Sequence, residues 1–174
     1  MTRVILAALA SILFSAHASA ENTSVFTPLD LDACTPLASG LDDESGSWKG
    51  RCRGLGAVAL TVSEGDLRFD LDAGVPNERF ETAYFFNIPH TTLEWRLDSD
   101  GTPFALIHRF WSSAPAFPGS ALGVSKIGTP GEPGCMVALI KGDIPDANAR
   151  ATAFADAILD RIKCSDIDTF LIIN

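Results

Sequence analysis

Two runs of alternating residues commit the middle of this chain to a β-hairpin. Val58, Leu60 and Val62 alternate with Ala59 and Thr61, while Leu67, Phe69 and Leu71 alternate with Arg68, Asp70 and Asp72. Successive side chains of a strand point to opposite sides, so each run carries one apolar face. Glu64-Gly65-Asp66 between them has turn chemistry, and the polar side of both arms is expected to be wet. Its polar residues discourage edge-to-edge aggregation.

Further strands follow from the same reading. Thr92 to Leu97 reads as extended and ends in the polar turn Asp98 to Thr102. Phe104 to Trp111 places Phe104, Leu106, His108 and Phe110 on one side, with Ala105, Ile107, Arg109 and Trp111 on the other. Both sides are largely apolar, as a central strand under a helix or long loop requires. After the breaks at Pro115 and Pro118, Ala121 to Ile127 is extended. Beyond the turn Thr129 to Gly134, Cys135 to Lys141 alternates Met136, Ala138 and Ile140 against Cys135, Val137 and Leu139. Phe170 to Ile173 suits a short last strand. Residues 73 to 90, broken by Pro76 and Pro89, are expected to form a loop packing Phe80, Tyr84, Phe85 and Phe86 over the sheet.

The period changes after Pro145. Ala151, Phe154, Ala155, Ile158 and Ile162 recur at steps of three or four, which predicts a helix from Ala147 to about Lys163 with Asp146 capping its first turn. These elements predict a single α+β domain over residues 21–174, with a mainly antiparallel sheet and one C-terminal helix packed on it.

Arg3, the apolar run Val4 to Phe14 and Ala18-Ser19-Ala20 predict a signal peptide over residues 1–20, hence export to a periplasm. No later segment has the length to cross a bilayer, so no stable transmembrane association is expected. The chain carries 13 Lys and Arg against 22 Asp and Glu, a net charge of −9. That balance disfavours nucleic acid and anionic lipid and favours a basic partner, such as a basic envelope protein or peptide.

Four cysteines in an exported chain imply two disulfides. Cys34–Cys52 and Cys135–Cys164 are expected because each closes a local loop. A strand of six steps from Cys135 covers about 20 Å, and the returning helix covers a similar length at about 1.5 Å per residue. Cys164 then comes back over Cys135. A four-thiolate zinc site is the alternative, but the chain has no CxxC knuckle.

Catalytic signals are weak. His108 lies among apolar strand neighbours and reads as a hydrogen-bonded structural histidine, whereas His90 sits in a loop. Ser112-Ser113 has no GxSxG context. An envelope hydrolase acting on glycan or peptide would have to draw on Glu64, Asp66, Glu94, His90, His108 and Arg109, and these would have to converge. Asp30, Asp32 and Asp42-Asp43-Glu44 lack EF-hand spacing and read as acidic loops. Gly54 and Gly56 suit a bend or close strand approach, with no P-loop or dinucleotide fingerprint. No cofactor or metal is therefore expected.

Trp48, Tyr84, Trp111 and Arg109 are the candidate binding residues, aromatic and cationic anchors of the kind that dominate interfaces. The leading expectation is a non-catalytic periplasmic binding or regulatory protein. A small-ligand binding module is an alternative, requiring a pre-formed pocket beneath the Phe80 to Phe86 segment.

Three runs carry a resemblance: FTPLDLDAC from Phe26 to Cys34, Trp48 with CRGLG from Cys52 to Gly56, and VSEGDLR from Val62 to Arg68. Looser matches continue through LEWR at Leu93 to Arg96, PFA at Pro103 to Ala105 and GCMVA at Gly134 to Ala138. Together these resemble a family of exported alphaproteobacterial proteins to which no activity is attached. In that family the tryptophan stands closer to the cysteine and a proline-glycine step follows it, where this chain has Arg53-Gly54. The resemblance implies export and a shared fold, and no catalytic role.

Overall fold

Alternation is realised as two β-sheets packed across one core in the computed structural model, which describes residues 21–37, 47–83, 86–112, 119–158 and 161–174. The expected signal peptide, Asp42 to Glu44, Tyr84, Phe85 and Ser113 lie outside the described residues. The strands are β1 (Thr23–Pro28), β2 (Thr35–Pro36), β3 (Trp48–Leu55), β4 (Val58–Gly65) and β5 (Arg68–Ala73). They continue with β6 (Asn87–Leu97), β7 (Pro103–Ser112), β8 (Gly119–Lys126), β9 (Cys135–Lys141) and β10 (Leu171–Ile173). Helix α1 spans Ala147–Ile158.

One sheet has the order β1-β6-β7-β8-β9-β10 and the other β2-β3-β4-β5. All pairings are antiparallel except β9 with β10. This is the α+β arrangement expected, with the helix C-terminal and both disulfides, Cys34–Cys52 and Cys135–Cys164, formed as predicted. The cysteine pairing removes the zinc alternative.

The register explains which residues meet. Leu60 and Val62 of β4 stand opposite Ala73 and Leu71 of β5 and enter one cluster with Leu93, Trp95, Leu106 and Phe110 of the larger sheet. Strand β7 shows two apolar faces, as its sequence required: Leu106 and Phe110 belong to that cluster, while Ala105 and Ile107 pack with the helix. Ala151 and Ala155 of α1 are buried against Leu122, Val124 and Ile140. Arg96, itself buried, grips Asp156 of the helix through Nε at 3.0 Å and Nη2 at 2.6 Å.

Five local expectations are corrected. The hairpin turn lies one residue later than read, at Asp66-Leu67, whose φ angles are 53° and 58°. Leu67 therefore leaves the inward row and stands exposed. In β9 alternation is interrupted by a register shift, so that Val137 and Ala138 both face the helix while Met136 enters the inter-sheet core. One extra residue in a strand reverses the side of everything beyond it. The helix ends at Ile158 rather than near Lys163, and Cys164 is delivered by a short 3-10 turn, Cys164–Asp166.

In the 73–90 stretch, Phe80 and Phe86 are exposed instead of packed away. The supposedly wet side of the hairpin is covered: Thr61, Asp70 and Asp72 are buried. Residues 74–83 fold back across that side. They are tied to the rest of the molecule by Val75 N–H to Gly128 O at 3.1 Å and Asn77 Nδ2 to Gly134 O at 2.7 Å.

Candidate functional site: an apolar cleft between the sheets

At the end of the sandwich beside the β4–β5 turn, the two sheets leave a cleft of about 930 Å³. Its first wall is a cross-strand row. The register sets Glu64 of β4 opposite Trp48 of β3 and Phe69 of β5, and all three line the cleft. Period two makes this row continue the inward residues Val62 and Leu71, at the point where the core opens. Gly50 accommodates Trp48, because a side chain there would collide with the indole.

The second wall comes from Ile88 at the start of β6 and from Trp111, Ser112 and Gly119 around the β7–β8 edge. Leu31, Asp32 and Cys34 close another side, held to β3 by the Cys34–Cys52 bond. Asn87 joins the sheets at the margin. Its N–H donates to Leu67 O at 3.0 Å, its Oδ1 accepts Phe69 N–H at 3.2 Å, and its Nδ2 donates to Thr82 Oγ1 at 3.0 Å. The rim exposes large apolar side chains: Leu67 is 66 % exposed, Phe86 54 %, Ile88 62 % and Trp111 52 %. Neither lysine nor arginine is among the described lining residues.

Two of the sequence candidates, Trp48 and Trp111, are thus brought to one cleft. Arg109 is not. Its guanidinium lies on the helix side, donating to Ser120 Oγ at 2.5 Å and Asn148 Oδ1 at 2.6 Å, and partial burial lowers its pKa. Tyr84 lies outside the described residues. Sequence reasoning missed Leu67, Phe69, Asn87 and Ile88, and named Phe86 only as the end of a segment over a pocket. One signal was available: Leu67 beside Asp66 in a position that hairpin turns usually give to Asn or Gly.

The groups offered for hydrolysis are dispersed. Glu64 lines the cleft, Asp66 pairs with Arg68 at 2.7 Å, and Glu94 accepts a hydrogen bond from Ser24 Oγ on the helix side. His90, expected in a loop, lies instead in β6 and rests against Trp111, with ring centroids 5.8 Å apart. His108 is in the core, edge-on to Phe110 at 4.4 Å and so close over Gly123 that a Cβ there would lie 2.6 Å from its Cε1. The expectation of a hydrogen-bonded histidine is corrected, since neither ring nitrogen has a partner among the described residues. Burial pushes its pKa down to about 3, which keeps the ring neutral. Among the described residues, no cluster of three or more His, Cys, Asp or Glu has metal-holding geometry.

A second group of carboxylates is buried on the far side of β5. Burial, followed by repulsion from Asp72, pushes Asp70 up to about 8. Burial, followed by repulsion from Glu81, pushes Asp72 up to about 7. Both accept backbone hydrogen bonds from the covering segment, Asp70 from Glu81 and Asp72 from Asn77. Glu81 in turn accepts Met136 N–H at 2.6 Å and pairs with Arg79 at 2.7 Å. These contacts make the group a clasp for residues 74–83.

No family model matches the chain, and neither a curated protein nor a solved structure matches it, so the cleft is read from its own residues.

Proposed function

We propose that this protein binds a small, largely apolar molecule in the cleft between its sheets. The observation that carries this reading is an apolar cleft of about 930 Å³ whose rim holds four large apolar side chains more than half exposed. Ligand sites are typically apolar clefts of this size with a few placed polar groups, here Asn87, Ser112, Glu64 and Asp32. The turn supports the same reading. A leucine in the left-handed region costs roughly 1–2 kcal/mol, and at position 67 that strain holds an apolar side chain at the cleft. Local rules are most often broken where a site needs them broken.

The export expected from the leader belongs to this reading, which places the binding module in the periplasm. The hydrolase alternative has less support, because its polar groups do not converge. A basic envelope partner remains compatible with the net charge of −9, but charge alone specifies no surface.

Titration with the neutral dye Nile red tests the proposal. Saturable fluorescence enhancement at one dye per chain, displaced by octanol, is expected. Ile88→Asp should weaken it by about tenfold or more, the order of one lost apolar contact plus an introduced charge. Ile88 is exposed, so the fold should survive the change. Non-saturable dye uptake, or affinity unchanged in Ile88→Asp, would overturn the proposal.

A further inference from the structure

Resting on the apolar-cleft reading, we infer that the ligand carries a cationic head, an alkyl- or arylammonium group, seated on the row Trp48–Glu64–Phe69. The register makes Glu64 the centre of that row, with an indole on one neighbouring strand and a phenyl ring on the other. A carboxylate between two aromatic rings offers an ammonium both charge compensation and ring faces of negative potential. The carboxylate is held in place, since its Oε1 accepts Leu67 N–H at 2.9 Å. It is also only partly exposed, so solvent screens it less than a surface charge.

The rest of the lining points to the same sign. Asp32 is the other charged residue there, and it too is acidic. The nearest cations in sequence do not line this cleft. Lys49 and Arg68 flank the row residues Trp48 and Phe69 but belong to a neighbouring pocket, which Trp48 and Glu64 also border. Lys49 faces Asp70 and Asp72, and Arg68 pairs with Asp66. A fatty acid would bring its carboxylate against Glu64 and Asp32 with no cation among the lining residues to receive it. An ammonium amphiphile meets the reverse situation, and the net charge of −9 favours its approach.

The test is calorimetric titration of the oxidised, exported chain with octyltrimethylammonium, octanol and octanoate, all below micelle-forming concentration. The ammonium should bind about tenfold or more tighter than octanoate. Glu64→Gln should remove most of that preference, read as the ratio of ammonium to octanoate affinity within the same variant. Raising the ionic strength should also narrow the gap, which keeps the test decisive if the variant folds poorly. Equal affinity for all three ligands, preference for octanoate, or a preference insensitive to both salt and Glu64→Gln would overturn the cationic head while leaving the apolar reading intact. Failure of every ligand to bind saturably would defeat the apolar reading itself.

Discussion

The outer sides of the two sheets are covered by unlike material. Over the six-stranded sheet lies α1, whose Ala147, Ala151 and Ala155 are buried among branched strand residues. Over β4 and β5 lies the irregular segment 74–83, and beneath it are Asp70 and Asp72. A helix satisfies its own interior backbone groups and asks of its sheet only apolar contact. An irregular segment brings N–H groups that have no partner of their own, and buried backbone donors must find acceptors. Asp70 and Asp72 are those acceptors, taking the N–H groups of Glu81 and Asn77, while Glu81 of the segment in turn takes the Met136 N–H of β9. The same strand alternation therefore ends in an apolar layer on one sheet and a carboxylate clasp on the other.

The helical cover should break most severely at its staple. Replacing Cys135 and Cys164 together by alanine should cost about 2–4 kcal/mol in chemical denaturation, the usual range for a local disulfide. An unchanged midpoint would mean that apolar packing alone holds the helix. Ala151→Leu probes that packing directly. Ala151 is fully buried, so the larger side chain should cost about 1–3 kcal/mol through overpacking. A neutral result would show that the helix rides loosely on its sheet.

The carboxylate clasp should answer to pH instead. Both aspartates are raised above the ordinary carboxylate value of 3.8, so the native state holds protons that the unfolded chain releases. Their contribution is fully present below about 4 and is lost as pH rises through about 7 to 8. Thermal midpoints should accordingly decline across that window. Asp70→Asn, uncharged at every pH, should flatten the decline and still accept the Glu81 N–H through its amide oxygen. A midpoint that rises over the same window would refute the assignment.

The smallest effect is expected beyond both covers, at the turn. Leu67→Gly should raise stability by about half a kcal/mol, as relief of the left-handed strain exceeds the added chain entropy. It should simultaneously weaken Nile red binding. Weaker stability with unaltered binding would separate Leu67 from the cleft.

Much of the framework was legible because it is local. The alternation in residues 58–71 and 104–111, the change of period at Ala147 and the distances spanned by strand and helix led to the hairpin, β7, the start of α1 and the Cys135–Cys164 bond. The site was legible only in fragments. Trp48 and Trp111 stood out as aromatics, but nothing near either in the chain places them at a common cleft. Arg109 stood out for its charge, and the structure commits it to Ser120 and Asn148.

Sequence by itself determined which residues alternate, where the helical period begins and which cysteines lie within reach of each other. These are properties of neighbouring residues and of fixed rises per residue. Tertiary structure alone decided that the polar side of the hairpin is buried and that Val137 breaks the alternation of β9. It also decided that Trp48, Glu64 and Phe69 open onto Ile88 and Trp111. The physical reason is that a side chain's direction is set by its own strand, whereas what it meets is set by whichever distant segment packs over it.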